Sequence, residues 1–257
     1  MPRIPKEHLD SIATIFAKKN HKLTPVGTAF LVSYLDQAKY LITCDHCRTT
    51  DVTEIIFATG ESISFDHAAW TADPNGNDVI ARDVTDHLPP KISDCNIPAL
   101  SDRVRNVPDF MQTSAVGDEI YMLGLHTPEA REDAITPRAR FGNISAWANE
   151  KETVEQGNQK KQPSHIGDMR SRPGFSGSPV FTFRQTDDFN ESTTPTLLGI
   201  HSGQFQENII VRTNSGLQPA WAPSSMTIIV PAWSLEFIDN DPAFKSARSG
   251  RPTSLFD

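Results

Sequence analysis

The sequence predicts an all-β fold in two halves. Short apolar segments recur between turn-forming segments, and a polar, proline-containing stretch at 89–108 divides them into two groups. Such a stretch suits the crossover between two barrels. The chain has 257 residues, close to the upper size of about 250 for a single all-β domain. We therefore expect one bilobed domain over 1–257, with barrels at about 24–100 and about 114–238.

Hydrophobic patterning predicts the individual elements. Apolar runs bounded by turn residues predict strands. These runs are 27–32, 40–44, 54–58, 62–65, 116–124, 140–145, 179–183, 196–203 and 226–231. Apolar residues at helical spacing predict a lead-in helix over 5–18 and a short C-terminal helix over 233–238. Polar composition predicts exposed loops at 150–162 and 185–195, and a fraying tail over 242–257.

Charge and composition disfavour several classes of protein. Asp and Glu outnumber Lys and Arg by 32 to 24, and the resulting net charge of -8 disfavours a nucleic-acid partner. No apolar stretch approaches the roughly 20 residues of a membrane span, and the N-terminus lacks an apolar signal segment. The three cysteines, a low and odd number, suggest reduced thiols. We therefore expect a cytoplasmic protein, with secretion as the open alternative, and no nucleic-acid or membrane partners. The sequence leaves its oligomeric state open.

The segment 172–181 places Ser176 in a tight turn just before an apolar strand. Gly174 and Gly177 allow backbone angles that residues with a Cβ disfavour. The turn can therefore aim the N–H groups of Gly174 and Ser176 at one point in front of the Ser176 hydroxyl, as acyl transfer requires. The same composition also fits an ordinary surface turn. A lipase-type elbow does not fit, because Ser178 occupies the place of its last glycine.

A serine nucleophile needs a histidine base and a carboxylate that orients the histidine. His46 lies at the end of the second strand of a predicted hairpin, where a loop begins. Asp78 directly precedes an apolar run and could accept a hydrogen bond from the Nδ1–H of His46. Asp73 and Asp83 are competing carboxylates, and a single histidine also fits a buried core position.

Cys44 and Cys47 form a C-x-x-C motif around His46. Alone, this motif is a weak redox or metal signal, and the chain has no second pair to complete a zinc site. We expect ordinary buried thiols, with no metal and no cofactor.

Four motifs, in their order along the chain, resemble the trypsin-like (chymotrypsin-fold) serine peptidases of bacterial type. They are Gly27-Thr28-Ala29-Phe30-Leu31-Val32, Thr43-Cys44-Asp45-His46-Cys47, Asp78-Val79-Ile80-Ala81 and Gly174-Phe175-Ser176-Gly177-Ser178-Pro179. The chain order His, Asp, Ser is that of chymotrypsin. The resemblance covers about 24–238 and implies two six-stranded antiparallel β-barrels with short terminal helices.

The resemblance also implies a mechanism. His46 would take the Ser176 proton as Ser176 attacks a peptide carbonyl, Asp78 would hold His46, and the amides of Gly174 and Ser176 would form the oxyanion hole. The substrate would be a protein or peptide. Phe175 stands where animal digestive enzymes have Asp, so no activation by a new N-terminal amine is expected. Cys44 and Asp45 replace the two alanines that usually precede the histidine.

Substrate specificity is a further implication of the resemblance. Alignment of the motifs places Ser171 and His201 on the walls of the specificity pocket, Arg170 near its base, and Ser202 and Gly203 on its strand. Serine plus histidine at these positions is similar to the glutamyl endopeptidases, which cleave after Glu, because these groups can stabilise a carboxylate. In the alternative interpretation, His201 only packs under its strand and Arg170 points to solvent.

A second class of function remains open on the same fold. A binding or scaffold module could keep the double barrel and have no catalytic activity. The presence of all three candidate triad residues favours the enzyme.

Overall fold

The computed structural model describes most of the chain, and β-strands make up most of it. The described residues are 4–19, 22–34, 38–48, 52–66, 69–93, 115–125, 135–149, 151–183, 195–213 and 216–249. All strand pairs are antiparallel, which confirms the predicted all-β class. The predicted crossover at 89–108 and the loop at 185–195 lie mostly outside the described residues.

Among the described residues, the first sheet has seven strands, one more than the six expected, and its order is β5-β4-β1-β2-β3-β7-β6. The additional strand, β6, is only two residues long. The strands are β1 (Ile12–Lys19), β2 (Lys22–Ser33), β3 (Lys39–Thr43), β4 (Val52–Phe57), β5 (Ser62–Phe65), β6 (Thr71–Ala72) and β7 (Ile80–Asp83).

The second unit is a closed six-stranded barrel in the order β12-β15-β14-β13-β8-β9. Its strands are β8 (Glu119–Gly124), β9 (Arg138–Ala146), β12 (His165–Asp168), β13 (Pro179–Phe183), β14 (Pro195–Thr213) and β15 (Gly216–Pro231). Between β9 and β12, the strands β10 (Thr153–Glu155) and β11 (Lys161–Pro163) form a separate hairpin. The exposed loop predicted at 150–162 is therefore partly a β-hairpin.

Helical segments are short. They are α1 (Lys6–Asp10), α2 (Pro90–Ser93), α3 (Phe237–Asn240) and α4 (Pro242–Ser249), with 3-10 turns at Asp45–Cys47, Thr85–His87 and Ala232–Glu236. The predicted helix at 233–238 is thus a 3-10 turn that continues into α3. Among the described residues, no helix has both the length and the apolar character needed to cross a membrane.

The lead-in helix predicted over 5–18 is wrong beyond residue 10. Only Lys6–Asp10 is helical, and Ile12–Lys19 is strand β1, so the first sheet begins well before residue 24. β1 pairs with β2 on one side and β4 on the other. Its successive residues Ile12 to Phe16 are all buried, so both faces of the strand are covered. A short apolar run covered on both faces does not show the alternation that identifies most strands.

The fraying predicted for 242–257 is also wrong for its first half, where α4 is ordered. Phe244 of α4 is buried in the main core. Arg248 donates hydrogen bonds to the hydroxyl of Tyr40 at 3.1 Å and to the carbonyl of Ile238 at 3.1 Å. The mostly polar composition of this segment predicts fraying, but the buried side chain of Phe244 anchors it to the core. Residues 250–257 lie outside the described residues.

Candidate active site

The serine turn, residues 172–178, lies between β12 and β13 of the second barrel and contacts the first sheet. Gly174 has φ +98° and Gly177 has φ +85°, both in the region that favours glycine. A Cβ on Gly177 would lie 2.1 Å from the carbonyl oxygen of Thr28 and 2.2 Å from Thr43 Oγ1. Both glycines predicted to shape the turn therefore do so, and Gly177 also permits the close approach of the two units.

Thr28 of β2 anchors the serine turn to the first sheet. Its N–H donates to the carbonyl of Ser176 at 2.8 Å, and its hydroxyl donates to the carbonyl of Gly174 at 2.6 Å. The same hydroxyl accepts from the N–H of Leu125 at 3.1 Å. Sequence reasoning missed this role of Thr28, because nothing local to β2 indicates a contact almost 150 positions away.

The N–H groups of Gly174 and Ser176 donate to no acceptor among the described residues, whereas neighbouring amides of the turn are bonded. Phe175 donates to the carbonyl of Arg172 at 3.1 Å, and Gly177 donates to that of His201 at 2.8 Å. The two amides predicted for the oxyanion hole therefore have no acceptor among the described residues, as an oxyanion hole requires before substrate binds.

His46 and Asp78 are in direct contact. His46 Nδ1 lies 2.8 Å from Asp78 Oδ2, and the His46 backbone N–H donates to Asp78 Oδ1 at 3.0 Å. Asp78 is fully buried, and the His46 side chain is 24% exposed. The competing Asp73 instead bonds within its own turn, to Asn75 and Asn77. Asp83 bonds to Thr85.

The contact between His46 and Asp78 shifts their pKa values in opposite directions. Burial alone would lower the pKa of His46, but its hydrogen bond to Asp78 and the nearby Cys47 thiol outweigh burial and raise the pKa to about 10. Burial alone would raise the pKa of Asp78, but hydrogen bonds from His46 and Ser202 hold it below its ordinary value. Asp78 therefore stays ionised and favours the protonated form of His46.

The backbone of Ser176 contacts the residue that follows His46 in the chain. The Cys47 sulfur, next in the chain to His46, is 3.7 Å from the carbonyl oxygen of Ser176. Among the described residues, no hydrogen bond joins the Ser176 hydroxyl to His46. Nucleophile–base hydrogen bonds in unliganded enzymes are often long and tighten only when substrate binds.

Gly157, in the turn between β10 and β11, covers the His46 ring. A Cβ at Gly157 would lie 2.2 Å from His46 Nδ1 and 2.6 Å from its Cε1. The Gly157 N–H donates to Ser202 Oγ at 3.2 Å, and Ser202 Oγ in turn donates to Asp78 Oδ2 at 2.5 Å. Ser202, predicted to line the specificity pocket, is therefore bonded to the candidate triad. No sequence pattern pointed to Gly157, because its role depends on the fold of a polar hairpin.

The predicted specificity residues form two groups. The Ser171 hydroxyl contacts His201 Nε2, and buried His201 has its pKa lowered to about 3, mainly by burial. Its Nδ1 has no hydrogen-bond partner among the described residues. Arg170 instead lines an open pocket of about 440 Å³ with Arg140 and Asp168, whose lining does not include Ser171 or His201.

Gly203 lies at a bulge of β14, where the pairing with β15 shifts after His201. A Cβ on this glycine would meet no other atom within 4 Å. The packing of the described residues therefore does not require glycine at this position.

Cys44 and Cys47 are buried and free. The Cys44 thiol lies near His46 and Asp78, close enough for all three to reach one ion. Burial and the negative charge of Asp78 raise the pKa of Cys44, and its S–H donates to the carbonyl of His201 at 3.2 Å. Each of these three groups already has a partner within the protein, since Cys44 bonds to His201 and His46 bonds to Asp78. Cys95 lies outside the described residues.

Two antiparallel units, with a histidine–aspartate pair on the first and a glycine-flanked serine turn on the second, define the trypsin-like double β-barrel fold that the sequence predicts. A solved structure similar to this chain is that of the Rv3671c protease from M. tuberculosis in its active form. The similarity has a TM-score of 0.53 at 14% sequence identity, and covers 90% of this chain and 80% of that one. No family model and no curated protein sequence matches the chain.

The raised pKa of His46 predicts an alkaline shift of any reaction in which it acts as the base. A base must be neutral, so the rate of such a reaction should rise with pH to a midpoint well above 6.5. The same shift stabilises the folded chain below pH 6.5, and this contribution disappears as pH rises through about 10. NMR titration of the His46 ring in the Ser176→Ala variant measures the pKa directly. A midpoint near 6.5 in both measurements would contradict the prediction.

Proposed function

We propose that the chain is a serine endopeptidase that hydrolyses peptide bonds in protein or peptide substrates. Ser176 Oγ attacks the carbonyl carbon, and its proton passes to His46 and then to the leaving amine as the C–N bond breaks. Water, deprotonated by His46, hydrolyses the resulting ester and returns the proton to Ser176. Asp78 holds the His46 tautomer and stabilises the imidazolium, and the amides of Gly174 and Ser176 stabilise the oxyanion.

The observation that most supports this proposal is the buried Asp78 bonded to both the backbone and the ring of His46, beside the docked serine turn. A binding module has no need for a buried carboxylate with a depressed pKa at this point, because burying an ionised carboxylate carries a cost. The free amides of Gly174 and Ser176 add independent support.

Labelling with a fluorophosphonate probe tests the proposal. The wild type should be labelled, and Ser176→Ala should not, because the probe forms its bond with an activated serine hydroxyl. Ser178→Ala is the matched control: Ser178 is fully buried, and its hydroxyl has no partner among the described residues. This control should be labelled like wild type. Absence of labelling in the wild type would favour the silent binding module.

We further propose a preference for Glu or Asp before the scissile bond. The contact between Ser171 and His201 supports it, because a hydroxyl backed by an imidazole can donate a hydrogen bond to a carboxylate. His201 is neutral at pH 7, since its pKa is lowered to about 3, so recognition would rest on hydrogen bonds rather than on a fixed positive charge.

This preference predicts a selective effect of Ser171→Ala. The variant should lose about tenfold in kcat/KM on a peptide with Glu before the cleaved bond, because one charged hydrogen bond is lost. Peptides with Leu at that position should be cleaved as before. Arg170→Gln is the control, since Arg170 lines a separate pocket. The idea fails if wild type cleaves the Glu peptide no faster than its Leu, Phe and Lys counterparts.

A further inference from the structure

A pocket of about 440 Å³ lies on the second barrel, between β9, the end of β12 and β15. β9 contributes Arg140 and Phe141 to it, and the chain just past β12 contributes Met169 and Arg170. The lining of the pocket includes no residue of the serine turn. The pocket is therefore separate from the candidate active site, and the proposed peptidase mechanism does not use it.

The segments that line this pocket are packed directly against one another. A Cβ on Gly142 of β9 would lie 2.1 Å from the carbonyl oxygen of Asp168 at the end of β12. The Met169 N–H donates to the carbonyl of Ser225 in β15 at 2.7 Å, and the Met169 side chain is buried in the core of the second barrel. The fold itself thus fixes the walls of the pocket, as is usual for small-molecule sites.

Two guanidinium groups and one carboxylate line the pocket. Among the described residues, Arg140, Arg170 and Asp168 form no salt bridge with each other or with any other residue. Two positive charges therefore face one negative charge here, although the chain as a whole has a net charge of -8. Guanidinium groups bind phosphate and carboxylate groups through paired N–H donors, so the pocket suits an anion.

Arg140 also has a buried donor without an acceptor. Its Nε atom is buried, and no hydrogen-bond partner reaches it among the described residues. Its guanidinium carbon lies 5.8 Å from the centre of the Phe175 ring, which attracts the cation but is no conventional hydrogen-bond acceptor. Buried polar groups usually have a partner, because an unpaired one costs free energy. A ligand that accepts hydrogen bonds from Arg140 would remove this cost.

We propose that this pocket binds a small organic phosphate, with its phosphoryl group held by Arg140 and Arg170. A phosphoryl group carries up to two negative charges and three acceptor oxygens, which two guanidinium groups can share, whereas a carboxylate carries one charge and two oxygens. Phe141 also lines the pocket and is 50% exposed, so it offers an aromatic surface to the organic part of the ligand. The pocket volume of about 440 Å³ suits a small molecule.

Isothermal titration calorimetry with phenyl phosphate tests the proposal on the full chain, in a buffer without phosphate or sulfate. One molecule should bind per chain. Benzoate has the same ring but a carboxylate, and it should bind about tenfold more weakly because it makes fewer charged hydrogen bonds. Inorganic phosphate should bind about threefold more weakly, because it lacks the ring. Equal binding of benzoate would overturn the assignment to a phosphate, and no binding of any probe would overturn the site.

Variants of the lining residues locate the binding. Arg140→Gln and Arg170→Gln should each weaken phenyl phosphate binding by about tenfold, because each removes a charged hydrogen bond. Arg170 is exposed, so its variant should fold even if Arg140→Gln does not. Asp168→Asn should instead tighten binding by about two- to fivefold, because it removes a nearby negative charge. A residue with a purely structural role would not tighten binding when it is replaced, so unchanged or weaker binding in Asp168→Asn would contradict the proposal.

Two control variants test where the anion binds. Arg212→Gln removes the same charge from an exposed position on β14, where that strand extends past its pairing with β13 and pairs only with β15 among the described strands. Ser171→Ala removes the contact with His201 in the candidate substrate pocket. Both variants should bind phenyl phosphate like wild type. Binding that survives in Arg140→Gln and Arg170→Gln, or that is lost in Ser171→Ala, would overturn the proposal. The heat of binding requires no catalysis, so an inactive wild type would leave this test intact.

Discussion

Replacing Asp78 by Asn is expected to lower kcat by about 10⁴-fold, the scale associated with loss of the orienting carboxylate in a serine–histidine–aspartate triad. An amide at this position can donate towards His46 Nδ1 and so favour the wrong tautomer. It also removes the charge that stabilises the imidazolium. Asp78 is fully buried and accepts hydrogen bonds from both His46 and Ser202, so no water or neighbouring group can replace it easily.

Steady-state kinetics on a fluorogenic peptide measures this loss, and fluorophosphonate labelling should slow in parallel. Asp73→Asn and Asp83→Asn are matched controls, because these carboxylates bond to neighbouring residues of their own segments. Both controls should retain nearly full activity. If Asp73→Asn or Asp83→Asn were the inactive variant and Asp78→Asn were active, the assignment of the triad would be wrong.

Substituting Gly157 by Ala is the second change with a large expected effect. The new Cβ would lie 2.2 Å from His46 Nδ1, far inside van der Waals contact, so either the ring or the β10–β11 turn must move. A displacement of about 1 Å at a catalytic group can cost about 10²-fold in rate. The loss should appear in kcat, and thermal stability should change little because Gly157 lies in an exposed turn.

Asn158→Ala provides the control for Gly157→Ala. It alters the same turn but places no new atom against His46. It removes the hydrogen bond that Asn158 donates to the carbonyl of Gly76 at 3.2 Å and the one it accepts from the Lys160 N–H at 3.1 Å. Activity close to wild type is expected. A fully active Gly157→Ala would mean that the turn leaves His46 during turnover, and the pH profile of that variant would then show whether His46 keeps its raised pKa.

The glycine-flanked serine turn was readable from the sequence because its geometry is local. Gly174 and Gly177 have positive φ, as expected for residues chosen for backbone freedom. The fold class was readable for a similar reason: short apolar runs separated by turns form strands whatever their partners. Strand β1 could not be recognised from the sequence. Both of its faces are buried, so it lacks the alternation of apolar and polar residues that distinguishes a strand from a helix.

The contacts among the candidate site residues depend on packing between distant segments. Local sequence offered Asp73, Asp78 and Asp83 as partners for His46, and only the fold brings Asp78 within 2.8 Å of the ring. The anchoring of the serine turn by Thr28 and the cover of His46 by Gly157 likewise join residues that are far apart in the chain. Such contacts leave no periodic or compositional signal at either residue.

The sequence by itself determined the β class of the fold, the order of the candidate triad residues and the shape of the serine turn, because each depends on the conformational preferences of neighbouring residues. Only the tertiary structure decided which carboxylate meets His46, which turn covers it and how far β14 and β15 extend past the barrel. Those features depend on which surfaces are buried against each other, and burial is a property of the folded chain rather than of any one segment.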